Sequence, residues 1–140
     1  MKSKIILFVA LWLFAINSFS QIKIEAQDGI HYITTNIDYP ITGTYLFKGA
    51  EPVVELNGNG TGFYQRHEQL KKAISWGIAC DESGEPILVK GFDNLAYTLW
   101  YLYSNPEIDD EKYWKSVSFT IHFNSLKMFI QGERSKDYTE

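Results

Sequence analysis

The chain has 140 residues, 45% of them hydrophobic and 16% aromatic, with a formal charge of −4. An acidic chain of this size excludes a phosphate-backbone binder, which needs a basic surface. One cysteine, Cys80, excludes an internal disulfide.

The chain opens with a basic head, Met1-Lys2-Ser3-Lys4, and an apolar run from Ile5 to Ile16. Asn17-Ser18-Phe19-Ser20 follows, with small residues at the positions a signal peptidase reads. This pattern predicts a secretory signal peptide over 1–20, cleaved after Ser20. The run is shorter than the ~20 apolar residues of a membrane span. The mature chain is then one domain, 21–140, secreted or periplasmic and not membrane-spanning. Without Lys2 and Lys4, eleven basic residues face seventeen acidic ones, for a formal charge of −6.

The turn Gln27-Asp28-Gly29 precedes a β-branched run, Ile30 to Thr35, and Ile41 to Phe47 is strand-like. A hairpin is centred on Asn57-Gly58-Asn59-Gly60, entered by Val53 to Leu56 and left by Thr61 to Tyr64. Its Asn-Gly steps supply the positive φ angles that tight turns require. Asn59-Gly60-Thr61 is also a glycosylation sequon, used only in a host that glycosylates. Gln65 to Lys72 reads as one helical turn or a loop.

Ile74 to Cys80, the turn Asp81 to Gly84, and Ile87 to Val89 predict another hairpin. Ala96 to Tyr103 is apolar on both faces, which places it centrally or covers it on both sides. Asn105 to Lys112 is a Pro-containing acidic loop. Val117 to Phe123 alternates apolar and polar residues as a half-buried strand does. Asn124-Ser125 turns the chain, and Leu126, Met128 and Ile130 resume the alternation. The final stretch, Gln131 to Asp137, reads as a charged end. Seven to nine short antiparallel strands predict an all-β barrel or a strongly bent sandwich.

The order of elements resembles the small secreted lipocalin-like (calycin) β-barrel domains of bacteria. The residues carrying the likeness are Gly43-Thr44-Tyr45, the Leu56 to Gly62 hairpin, Ile74-Ser75-Trp76, the Asp81 to Gly84 turn and a closing pair ending near Arg134. The resemblance covers Ile41 to Tyr138. It implies that Tyr45 stands where the family's Gly-x-Trp tryptophan packs, beneath an arginine matched by Arg134. Tyrosine for tryptophan departs from that pattern. Fold alone leaves the activity open.

The residues point to no enzymatic chemistry. His31, His67 and His122 lack the spacing of a metal site. Cys80 shares period-2 spacing with Ile74, Trp76 and Ile78, so it reads as a buried hydrophobe. No nucleophile motif is present, and no cofactor, metal or catalytic residue is assigned. The alternating runs are shorter than the ~9–11 residues of a transmembrane strand.

The aromatic residues carry the functional expectation. Tyr97, Tyr101 and Tyr103 share one strand face, and Trp100 lies on the other. Pointing inward, the tyrosine face lines a pocket for a small apolar or amphipathic ligand. Pointing outward, it suits a sugar or a protein. The expected pocket residues are Phe47, Trp76, Tyr97, Tyr101, Phe119 and Ile121. The competing reading is a protein-binding envelope module, an inhibitor or immunity-type protein. It would set its acidic loop 105–112 against a basic partner.

Overall fold

The computed structural model describes residues 21–36, 41–47, 53–66, 69–122, 127–130 and 133–139. The expected signal peptide, 1–20, lies outside the described residues, as do His67 and the turn Asn124-Ser125. Eleven strands are seen: β1 (Ile22–Ala26), β2 (Gly29–Thr34), β3 (Gly43–Phe47), β4 (Val53–Leu56), β5 (Thr61–Tyr64) and β6 (Lys72–Cys80); then β7 (Leu88–Lys90), β8 (Asn94–Tyr103), β9 (Lys115–His122), β10 (Lys127–Ile130) and β11 (Glu133–Thr139). Every pairing is antiparallel.

The fold is all-β, a single strongly bent sheet. Pairings run β3–β4–β5–β6–β8–β9–β10–β11 and come back to β3. The seam is thin. β10 and β11 share two residue pairs, and β11 meets β3 at three positions with a register shift between Ser135 and Tyr138. The arrangement is therefore an open barrel rather than a sealed one. β1 and β7 lie outside this ring as edge strands.

Alternation sets the two faces. On β6, Ile74, Trp76 and Ile78 face inward, and on β8 so do Leu95, Tyr97, Leu99, Tyr101 and Tyr103. Val117, Phe119 and Ile121 of β9 join them, with Val54, Leu56, Tyr64 and Ile41, in one buried cluster. The other face of β6 and β8 is covered by the β1–β2 hairpin. There Ile24, Ala26 and Ile33 bury Trp100, with Ala79 and Trp114 at the margin. His31 closes over Trp100, ring centroids 4.4 Å apart, while its Nε2 meets Asp28 Oδ1 at 2.8 Å. This cover explains why Ala96 to Tyr103 is apolar on both sides.

Three elements differ from expectation. β1 precedes the first expected strand; its Ile22, Ile24 and Ala26 alternate with Lys23 and Glu25, and it pairs with β2. The charged C-terminal stretch is a strand, β11, because both of its edges find partners. Finally, β7 leaves β6 after one bridge, Cys80 with Pro86, and pairs with β8 instead. The connecting turn is held by Asp81. The Asp81 carboxylate accepts from the backbone N–H groups of Ser83 and Glu85 and from the Ser83 hydroxyl.

Candidate functional site

Five of the six expected pocket residues meet in the inner cluster. Trp76, Tyr97, Tyr101, Phe119 and Ile121 are all buried there. Phe47 sits on β3 opposite Ser135, and its side chain lies outside the described residues. The tyrosine face therefore points inward. Tyr97 lies against Phe119, Tyr64 stacks on Tyr101 at 4.8 Å, and Tyr103 meets Tyr101 edge-on at 5.7 Å. Burial is the main reason the Tyr64, Tyr101 and Tyr103 phenols are held above the ordinary phenol range, with their mutual proximity adding to it for Tyr64 and Tyr101. These contacts pack the tyrosine rings against one another within the buried inner cluster.

Among the described residues an open space lies on the outer face. A cleft of about 370 Å³ is lined by Ile22, Ile33, Thr34, Thr35, Asn59, Gly60, Thr61, Ser75, Trp76 and Trp114. Ile22 and Ile33 come from the covering hairpin, Ser75 from the outer face of β6, and 59–61 from the β4–β5 turn. Trp114 belongs to the segment leading into β9. Among the expected residues only Trp76 borders this space.

Trp76 fixes the cleft's rim from beneath. Its indole Nε1 donates to both Asn57 O (3.1 Å) and Thr61 O (2.9 Å), and its backbone N–H donates to Gly60 O (2.9 Å). The turn is closed further by Thr61, whose N–H and hydroxyl both donate to Asn59 Oδ1 (3.1 and 2.7 Å). Gly60 adopts φ +84°, a conformation that L side chains rarely reach, and a Cβ there would lie 3.6 Å from the Thr35 methyl. These bonds hold the rim in place without help from a ligand.

The cleft walls are uncharged. None of the ten lining residues is ionisable. Trp114, Ile22 and Ile33 supply apolar surface. The hydroxyls of Thr35 and Ser75 have no hydrogen-bond partner among the described residues. Such a wall can hold an apolar face on one side and satisfy polar groups on the other.

The acidic loop has a different character from the one expected. Its end forms a single 3-10 turn, Asp109–Lys112. Glu111 is buried, accepting the Glu107 N–H (2.9 Å) and Lys72 Nζ (2.5 Å). Lys72 also reaches Glu107, Lys112 pairs with Asp109, and Lys115 pairs with Asp110. Every carboxylate of the loop thus has a lysine from the chain itself. The Glu107 N–H, then the Lys72 ammonium, hold the Glu111 carboxyl below its ordinary range, and the Glu111 bond in turn raises Lys72. Lys115 is close to the loop in sequence, but Lys72 lies 35 and 39 residues from Glu107 and Glu111, so its compensation was not legible from sequence.

No metal-type group of three or more His, Cys, Asp or Glu residues occurs among the described residues. The Cys80 thiol is buried, and desolvation, with Asp81 nearby, pushes it up and away from the reactive thiolate. No described helix is long and apolar enough to cross a membrane. Comparison with known proteins found no matching family model, no matching curated protein and no matching solved structure.

Proposed function

We propose that the mature chain is an exported, non-enzymatic binding protein for a small amphipathic ligand without charge, held in the outer cleft. The observation that carries this reading is the 370 Å³ space walled by ten uncharged residues. Its volume falls within the ~300–1,000 Å³ range of small-molecule sites. A charged ligand would lose hydration there without gaining a counter-charge, which costs several kcal/mol. An uncharged one keeps its polar groups bonded to Thr35, Ser75 and Asn59 and lays its apolar face on Trp114.

The ring of eight meandering strands supports the lipocalin-like reading of the fold. The cleft lies apart from the inner tyrosine face, and of the expected pocket residues Trp76 alone borders it. The partner-binding alternative is less favoured, since the four carboxylates of the acidic loop are each paired with one of three lysines of the chain itself, Lys72, Lys112 and Lys115.

The test is native mass spectrometry of mature protein purified from its host's envelope or medium. We expect an adduct of a few hundred daltons that is released on denaturation. Trp114→Ala should abolish it and Tyr101→Phe should retain it. An adduct kept by Trp114→Ala but lost with Tyr101→Phe would return the ligand to the interior. A bare mass for the wild-type chain, under conditions that preserve other non-covalent complexes, refutes ligand binding.

A further inference from the structure

The edge strand β7 carries an apolar surface that the ligand-binding reading does not use. Ile87, Leu88 and Val89 are exposed by 57%, 42% and 71%, and Phe92 at the hairpin tip is fully exposed. Among the described residues β7 forms a ladder with β8 alone. Edge strands in monomeric proteins are normally shortened, bulged or charged to prevent further pairing. β7 is short and carries a single lysine, Lys90, which leaves its apolar side chains uncovered.

The register shows what the edge offers. Gly91 N–H donates to Asn94 O at 2.8 Å, and the ladder then pairs Lys90 with Leu95, Val89 with Ala96 and Leu88 with Tyr97. Antiparallel pairs alternate in hydrogen bonding. Gly91 and Val89 therefore turn their backbone groups toward β8, and Leu88 and Lys90 turn theirs to the open side. An incoming strand meets two N–H and two C=O groups, with Val89 on one face and Leu88 on the other.

Charge selects the occupant. Between Asp81 and Asp93 stand four carboxylates, Asp81, Glu82, Glu85 and Asp93, all exposed, against the one ammonium of Lys90. A second copy of this segment would bring like charges together. We propose that β7 is a strand-addition site for an extended apolar segment of a protein partner flanked by basic residues. Main-chain bonds to Leu88 and Lys90 would supply affinity, apolar contacts to Leu88, Val89 and Phe92 would set register, and the carboxylates would select the flanks.

The probe is a fluorescein-labelled peptide of alternating valine and threonine with two lysines at each end. Its control carries glutamates in place of the lysines. Anisotropy at low salt should show at least tenfold tighter binding of the lysine-flanked peptide. Hydrogen exchange should slow at the amides of Leu88 and Lys90. Lys90→Pro removes an N–H that points away from β8, so it should weaken binding tenfold or more while the melting temperature stays near wild type. It also removes a repelling cation, so a loss cannot be electrostatic. Glu85→Gln should narrow the preference between the two peptides.

Equal binding of the peptides, or unchanged binding to Lys90→Pro, overturns the proposal. So does peptide protection mapped to 59–61 and Trp114 rather than to β7. A concentration-dependent dimer that Lys90→Pro dissolves assigns the edge to a second copy and overturns it as well.

Discussion

Gly77 decides whether the β1–β2 hairpin can lie on the sheet. It sits mid-strand on β6, pairs with Trp100 of β8 and faces outward between Ser75 and Ala79. A Cβ built there would lie 2.7 Å from both Cβ and Cδ1 of Ile33 and 2.9 Å from its Cγ1. Ile33 is only 2% exposed, so it has little room to retreat. Two effects oppose each other in Gly77→Ala. Alanine restricts the unfolded chain, which stabilises by about 0.4–1 kcal/mol. Overpacking a filled core costs about 1–3 kcal/mol. The second prevails here, because one of the clashing atoms is the Cβ of Ile33, which moves only with the β2 backbone.

The expected net loss is about 1–2 kcal/mol, or roughly 3–10 °C in melting temperature for a domain of this size. Thermal and urea unfolding followed by tryptophan fluorescence measure it. A double-mutant cycle tests the cause. Ile33→Ala alone costs about 2–5 kcal/mol as a large-to-small core change. In that background Gly77→Ala should cost less than in wild type, since Cγ1 and Cδ1 are gone. A neutral Gly77→Ala, or additive single changes, would refute the argument that this glycine exists to admit Ile33.

Gly62 presents the harsher version of the same contact, because an added Cβ would meet the Glu55 carbonyl oxygen, a backbone atom. Gly62→Ala should destabilise more than Gly77→Ala in the same urea series. Glu111 has a depressed native carboxyl pKa, so its contribution is complete above the ordinary glutamate range of about 4.3–4.5 and is lost as pH falls through the lower native value. Glu111→Gln should flatten that acid limb of the stability curve. Tyr64, Tyr101 and Tyr103 are all raised, chiefly by burial. Absorbance at 295 nm should show them ionising above the ordinary range near pH 10, and a normal titration of all tyrosines would contradict their placement.

Much of the fold was legible because alternation reports a half-buried strand directly. Val117 to Ile121 and Ile74 to Ile78 declared both their strands and their inner faces, and Val53 to Leu56 its strand. The double-sided apolarity of Ala96 to Tyr103 correctly signalled cover on both sides, though not that β1–β2 supplies it. What failed to show were features set by partners distant in sequence. β11 reads as a charged tail, yet both its edges are paired. Lys72 reads as part of a polar connection, yet its one ammonium bonds both Glu107 and Glu111, some 35 and 39 residues away. The pocket residues were correctly grouped, since five of them do share one interior. Whether facing aromatics leave a gap is set by packing geometry, which alternation along a strand does not encode. Thr35, Asn59, Ser75 and Trp114 share no periodicity, so nothing in the chain's pattern united the cleft.

The cleft's construction would tie the proposed ligand binding to an edge element of the fold. One wall is the β1–β2 hairpin, which holds the sheet by a three-residue ladder to β6, by Ile33 over Gly77, and by Gln21 and Tyr32 on Glu82. The opposite rim is fixed by Trp76 whether or not a ligand is present. Local opening of the hairpin is therefore the motion that dismantles the site, and edge elements of this kind open below the global unfolding free energy. A ligand that binds only the closed form stabilises it by RT ln(1 + [L]/Kd), about 2.7 kcal/mol at a hundredfold excess over Kd. For a cleft ligand this protection falls first on the amides of β1 and β2. For an interior ligand it falls on β8 and β9, which the hairpin's opening leaves intact. The distribution of slowed exchange thus separates the two locations even for a ligand too weak to survive mass spectrometry.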